Sequence, residues 1–130
     1  MTVKVSAVVV CHDQPVSLAR VLDQLSKQSV FPSRILIVDT SKTEAIPSGS
    51  FETLKLSPKT NFAQAIEAAV KHLATDGYLW ILHDDSAPEL DALEKLLTEV
   101  ELSPSLALVG TKQVDWDNSK LIKQMGLTLT

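Results

Sequence analysis

The sequence predicts an α/β protein built on a mostly parallel sheet, with strands in the order 3-2-1-4 and helices packed on the sheet. Three observations predict it. Short runs rich in valine, isoleucine and leucine alternate with segments whose apolar residues recur at helical spacing, the pattern of strands joined by right-handed helical crossovers. One run, Tyr78-Leu79-Trp80-Ile81-Leu82, is apolar without a break and leads straight into His83-Asp84-Asp85. A run of that length is expected of a strand covered on both faces. Carboxylates also follow the apolar runs, at Asp13, Asp39 and Asp84-Asp85, and the carboxyl ends of parallel strands are where open α/β sheets bind ligands.

Taken in order, residues 3–10 are valine-rich and bounded by polar residues, which predicts a first strand ending at Cys11-His12-Asp13. Pro15 suits the first position of a helix. Leu18, Val21, Leu22 and Leu25 share one face, so the helix is expected over 15–28, ended by Phe31-Pro32. A second strand over 34–38 closes on Asp39. Residues 42–50 carry Pro47, Ser48, Gly49 and Ser50 and read as a surface connection. Residues 51–56 alternate as a short edge strand. Ser57-Pro58-Lys59-Thr60 breaks the pattern, and from Asn61 the residues Phe62, Ala65, Ile66, Ala69, Val70 and Leu73 mark a second helix. Asp76-Gly77 closes it and delivers the chain to the central strand, 78–85. Leu90, Leu93, Leu97 and Val100 predict a third helix over 88–102, ended by Pro104. A fifth strand over 106–110, a polar turn over 115–119 and a further strand over 121–130 complete the chain. With the first strand central, the order 3-2-1-4 follows as in a mononucleotide-binding half.

Composition narrows the function. A chain of 130 residues that is 45% hydrophobic has room for a single domain with a real core, 1–130. Its 12 Lys and Arg are scattered and the net charge is −4, which disfavours nucleic acid as a partner. A single cysteine, Cys11, excludes an internal disulfide and fits a reducing compartment. The apolar run near the N-terminus is too short to span a membrane and lacks the layout of a cleaved signal. The expected location is cytoplasmic, with a membrane segment conceivable only beyond this piece.

Glycine usage separates kinds of nucleotide site. Only Gly49, Gly77, Gly110 and Gly126 occur and none follows the first strand, which excludes the dinucleotide fingerprint and the P-loop. Adjacent carboxylates repel each other, so Asp84 and Asp85 call for a positive visitor, and oxygen-rich sites favour Mg²⁺ or Mn²⁺. Such a metal would let the edge hold a diphosphate without a glycine cradle. The alternative is that Asp84, Asp85 and Ser86 cap the helix that follows. Asp39 could accept from a nucleobase N–H or a ribose hydroxyl.

These residues resemble a known family. Val8-Val9-Val10-Cys11-His12-Asp13 resembles the opening strand that family-2 glycosyltransferases of the GT-A fold end in a polar turn beside the base. Ile35-Leu36-Ile37-Val38-Asp39-Thr40-Ser41 is similar to their second strand, whose aspartate contacts the base, and Asn61-Phe62-Ala63-Gln64-Ala65 to their Asn-x-Gly-x-Ala helix start. Leu82-His83-Asp84-Asp85-Ser86-Ala87-Pro88 resembles the DxD metal motif and the proline after it, and residues 117–126 the Asp-rich turn and later glycine that close the donor half. The likeness spans nearly the whole chain in the family's order. It implies a Rossmann-like three-layer α/β/α sandwich of the GT-A type, truncated to its nucleotide-sugar-binding half.

Carried over by position, the resemblance makes Asp85 the metal ligand, with Mn²⁺ or Mg²⁺ as cofactor, and Asp84 a partner of the ribose, the diphosphate or the metal's outer ligands. His83 stands where the family often has the first aspartate, and Ala63 where it has glycine, a change that sets the helix start slightly back from the diphosphate. Cys11, His12 and Asp13 fall at the base pocket, with simple core packing as the alternative for Cys11. Lys59 is a phosphate partner or a solvated loop lysine, and Asn61 opens the helix beside it. His72 is expected in solvent, Trp80 in the core, and Trp116 in a loop or on the acceptor side.

The implied reaction moves a sugar from a nucleoside-diphosphate sugar to a hydroxyl of a saccharide or lipid-linked acceptor, with inversion, using a carboxylate base. In the family that base lies in later sequence, so the piece is expected to be cut from a longer enzyme, to bind donor without turnover, and to offer its cut edge to a second copy. Two other readings compete. A phosphoacceptor receiver domain would use Lys112 and an acidic pair after the first strand, where Cys11-His12-Asp13 offers one carboxylate only. A noncatalytic module that kept the fold and lost the metal is the other, suggested by His83 and Ala63.

Overall fold

The computed structural model describes residues 4–43, 51–74, 77–103, 105, 108–110, 113–115, 117–118 and 121–124. The chain divides into two compact units, Met1–Leu93 and Glu94–Thr130. The first holds β1 (Val5–Cys11), α1 (Pro15–Ser26), β2 (Arg34–Asp39), β3 (Glu52–Lys55), α2 (Phe62–Leu73) and β4 (Tyr78–His83). These strands form one parallel sheet in the order β3-β2-β1-β4. That order places β3 beside β2 and β4 beside β1, whereas a receiver domain runs 2-1-3-4-5. The receiver reading is therefore excluded.

β1 is central because both of its faces can be buried. Every one of its residues is buried, and its valines suit a strand packed on two sides. On one face Val8, Val10, Leu36 and Val38 pack with Ala65, Ala69 and Leu73 of α2. The other face is equally closed: Ala7, Val9 and Ile37 are fully buried, and Leu18 of α1 shares a pocket wall with Cys11. Each buried valine, leucine or isoleucine side chain among them contributes about 1.5–3 kcal/mol.

The 78–85 run departs from its expected role. Among the described residues β4 pairs only with β1, so it lies at an edge of the sheet rather than its centre. Trp80 and Leu82 are buried while Ile81 is 44% exposed, an alternation that the unbroken apolar sequence hides. Trp80 is core, as expected. Gly77 sits where the chain enters β4 against Lys4. A Cβ there would lie 2.9 Å from the Lys4 Cβ and closer still to the Lys4 carbonyl oxygen, so only glycine allows the Tyr78 N–H to reach that carbonyl at 2.9 Å.

α2 begins with a reciprocal cap. Asn61 Oδ1 accepts from the Gln64 N–H at 2.8 Å and Gln64 Oε1 accepts from the Asn61 N–H at 3.0 Å, satisfying two otherwise orphaned donors. At its other end Arg34 Nη1 donates to the Leu73 carbonyl at 3.1 Å while its Nη2 pairs with Glu52 at 2.7 Å. His72 is exposed, as expected, with its Nε2 3.5 Å from Glu52 Oε2.

α3 (Ala92–Leu102) starts four residues later than the periodicity predicts, after an irregular segment over 84–91. Pro88 lies in that segment, not in the helix. In the second unit β5 (Gln113–Val114) pairs antiparallel with β6 (Ile122–Gln124). The expected turn is there: the Asp115 N–H donates to the Leu121 carbonyl at 2.8 Å and the Leu121 N–H to Asn118 at 3.0 Å. Residues 108–110 are irregular rather than strand, while 106–107 and 125–130, like Lys112 and Trp116, lie outside the described residues. No described helix is long and apolar enough to cross a membrane.

Candidate functional site: an acidic rim at the carboxyl edge of the sheet

Parallel register brings the strand ends together. Cys11 pairs with Asp39, and Val10 pairs with His83. All three strands run the same way, so the segments 11–13, 39–43 and 83–85 emerge at one edge. The acidic residues that the sequence scatters over seventy positions are neighbours here.

The first link crosses from β1 to the acidic pair. The His12 backbone N–H donates to Asp84 Oδ2 at 2.8 Å. Asp84 is 7% exposed, and burial first, then the charge of Asp85, raises its pKa above the usual carboxylate range. Asp85 itself is exposed. Ser86 does not cap a helix: its Oγ donates to the His83 carbonyl at 2.8 Å, and the next helix begins only at Ala92. The capping alternative is therefore not what these carboxylates do.

The sign of the Asp84 shift has a consequence for stability. A carboxyl whose folded pKa is raised loses stability as pH climbs through that value, because ionising it costs more in the fold than in the unfolded chain. Asp84→Asn keeps an acceptor for His12 and removes the charge. It is expected to raise the unfolding free energy at neutral pH by about 0.5–2 kcal/mol, with the gain vanishing in acid, as followed by denaturant melts across pH.

The second link is buried. Asp39 is 1% exposed, and its Oδ1 accepts from the Ser41 N–H at 2.8 Å and the Cys11 thiol at 3.5 Å, while Lys55 Nζ donates to Oδ2 at 2.9 Å. Burial works to raise the Asp39 pKa, but the bonds from Ser41 and Lys55 outweigh it and hold it below the usual range. Cys11 is pushed the other way, to about 12, by burial and then by the Asp39 charge. It stays a thiol, inert as a nucleophile.

The third link closes the turn after β1. Asp13 adopts a left-handed φ of 53°, and its carboxylate accepts from the Lys42 and Thr43 N–H groups at 3.1 and 3.3 Å and from Thr43 Oγ1 at 3.0 Å. The Lys42 bond chiefly lowers its pKa. The Asp13 N–H in turn donates to Ser41 Oγ at 2.8 Å. His12 Nδ1 lies 2.8 Å from the Thr40 carbonyl, which can only accept, so Nδ1 carries the hydrogen.

Of the residues singled out in the sequence, Cys11, His12, Asp13, Asp39, His83, Asp84 and Asp85 gather at this rim. Asn61 reaches it indirectly, because Phe62, one residue on, stacks on the His83 ring with centroids 4.3 Å apart and planes 12° from parallel. Lys59 is exposed, with its backbone N–H bonded to Ser57 Oγ at 3.2 Å. Sequence reasoning missed Lys55, Ser41 and Phe62. Lys55 carried one signal, its place at the end of a strand parallel to the one that ends in Asp39. Among the described residues no three His, Cys, Asp or Glu side chains form a ready cation cage.

A parallel sheet with helices packed on it and acidic groups lining its carboxyl edge defines a Rossmann-like α/β protein. The model of glycosyl transferase family 2 matches residues 6–127, and the chain belongs to that family. Among solved structures, the crystal structure of S. aureus TarS is similar in fold, with a TM-score of 0.61 at 16% identity, over 88% of this chain and 24% of that one. This chain thus spans about a quarter of the length of that relative. No curated protein matches it in sequence.

Proposed function

We propose that this chain is the donor-binding part of a metal-dependent, inverting glycosyltransferase that takes a nucleoside-diphosphate sugar. The observation that carries the reading is the His12 N–H bond to Asp84, which ties the base-side turn to the acidic pair within one rim. The donor set fits a hard cation. Mg²⁺ and Mn²⁺ sites commonly use one or two carboxylates and leave the remaining positions to water and substrate phosphate, and here an exposed Asp85 stands beside an Asp84 whose second oxygen is not taken by His12. A bound ion would offset the charge of the departing diphosphate.

The chain's own residues do the rest. Asp85 holds the cation, and Asp84, oriented by His12, faces the ribose or diphosphate. Lys55 spends two of its three N–H bonds on Asp39 and on the Ser41 carbonyl at 2.8 Å, leaving one for a base carbonyl. Asp39 beside it accepts the adjacent ring N–H, a pairing that suits uracil, thymine or guanine. Cys11 and Asp13 hold the turn that borders the base. Asn61, next to the Phe62 ring that stacks on His83, is assigned to the diphosphate side together with the exposed Lys59. The rim is assigned to donor binding and the carboxylate base to none of its residues, so the 130-residue piece is expected to bind donor without turning over. A lone buried thiol suits a cytoplasmic setting.

Calorimetric titration of the chain with UDP, GDP and dTDP, with and without Mn²⁺, tests the proposal. At least one of them is expected to bind only when the metal is present. Failure of all three in the presence of Mn²⁺ would favour the noncatalytic module instead.

A further inference from the structure

The two carboxylates of the rim stand at the start of an irregular segment, residues 84–91, and surface segments of this kind are ordinarily bonded to water. This one is bonded to the end of α1. Gln28 is 2% exposed and spends its whole amide on backbone: Nε2 donates to the Glu89 carbonyl at 2.6 Å and to the Gln24 carbonyl at 3.2 Å, and Oε1 accepts from the Leu93 N–H at 3.1 Å. Gln24 Nε2 donates to the Pro88 carbonyl at 3.2 Å, and the Ser29 N–H to the Leu90 carbonyl at 2.8 Å. At the near end the same segment is held by His12 on Asp84 and by Ser86 on the His83 carbonyl. The acidic pair therefore sits on a loop clamped at both ends, with a buried glutamine as the far clamp.

A buried amide that satisfies donor and acceptor in opposite directions specifies one loop path, since a shift of the loop would leave polar groups unpaired in the interior. A cation site that brings only carboxylates from one short loop depends on that path for its geometry. We propose that Gln28 is a positioning residue: its amide fixes residues 88–93 and so sets where Asp85 meets the cation and diphosphate. This inference rests on the donor-binding reading above.

The test compares Gln28→Met, close in shape but unable to bond, with the unmodified chain and with Leu73→Ala, which opens the α2 core instead. Affinity for UDP or GDP in Mn²⁺ is measured well below both melting points, alongside amide hydrogen exchange. Gln28→Met is expected to lose protection at Glu89–Leu93 and to weaken metal-dependent nucleotide binding by about tenfold to a hundredfold. Leu73→Ala is expected to melt lower and bind as before. Lost protection with unchanged affinity would overturn the positioning role while leaving the donor-binding reading intact. Unchanged protection would overturn the clamp itself, and absence of metal-dependent binding in the unmodified chain would remove the donor-binding reading and this inference with it.

Discussion

Asp85→Asn is expected to abolish Mn²⁺-dependent binding of UDP or GDP, weakening it at least about a hundredfold, a loss of about 2.7 kcal/mol. The argument is electrostatic. Asp85 is the exposed member of the acidic pair, whereas Asp84 has one oxygen engaged by His12 and a pKa raised by burial and by the charge beside it. An amide at position 85 keeps the size and an acceptor oxygen but removes the negative charge that a hard cation requires. The fold should be indifferent, since no bond within the sheet depends on an exposed loop carboxylate. Calorimetry against Mn²⁺ with each nucleotide, paired with a thermal melt, checks both halves. Unchanged affinity would take Asp85 out of the metal site.

Asp39→Ala should be the costliest substitution at the rim for stability, lowering the unfolding free energy by about 2–4 kcal/mol. It strips the Ser41 N–H of its acceptor inside the protein and leaves Lys55 without its counter-charge. Lys55 is 48% exposed in its side chain, so water recovers part of that loss, and the desolvated Ser41 N–H carries most of the effect. The pH dependence follows from the sign of the shift. A carboxylate held below its unfolded pKa contributes stability above the unfolded value, and loses it as pH falls through the folded one. Denaturant melts should therefore show the gap between the unmodified chain and Asp39→Asn at neutral pH narrowing in strong acid. A gap independent of pH would mean that the carboxylate's charge contributes nothing, and that shape alone matters at this position.

Much of the fold was legible in the chain. The periodicity of Leu18, Val21, Leu22 and Leu25 marks the buried face of α1, and Pro15 marks its start, because helical spacing and the chemistry of a helix terminus are local. The order 3-2-1-4 followed from placing the first strand at the centre, and it is the order observed. The gathering of Asp13, Asp39 and Asp84-Asp85 at one edge followed from that order alone. The exposure of one side of β4 was not legible: an apolar run reads alike whether one face or two are covered, and Ile81 looks no different from Leu82 in the sequence. The start of α3 was hidden for a related reason. Leu90 keeps the helical period, yet Gln28 draws the Leu93 N–H and the Glu89 carbonyl into bonds across the structure and holds the preceding residues out of the helix.

The sequence by itself determined that the sheet of the first four strands is parallel, through the alternation of strand and helix, and also where the strands' polar ends lie and which residues carry negative charge there, through composition and spacing over a few residues. Tertiary structure alone decided how those charges differ. Asp39 and Asp84 are both buried carboxylates, yet one is held ionised by Lys55 and Ser41 and the other is pushed toward its neutral form by burial and by Asp85. That division comes from desolvation and from partners distant in the chain, which local sequence does not encode.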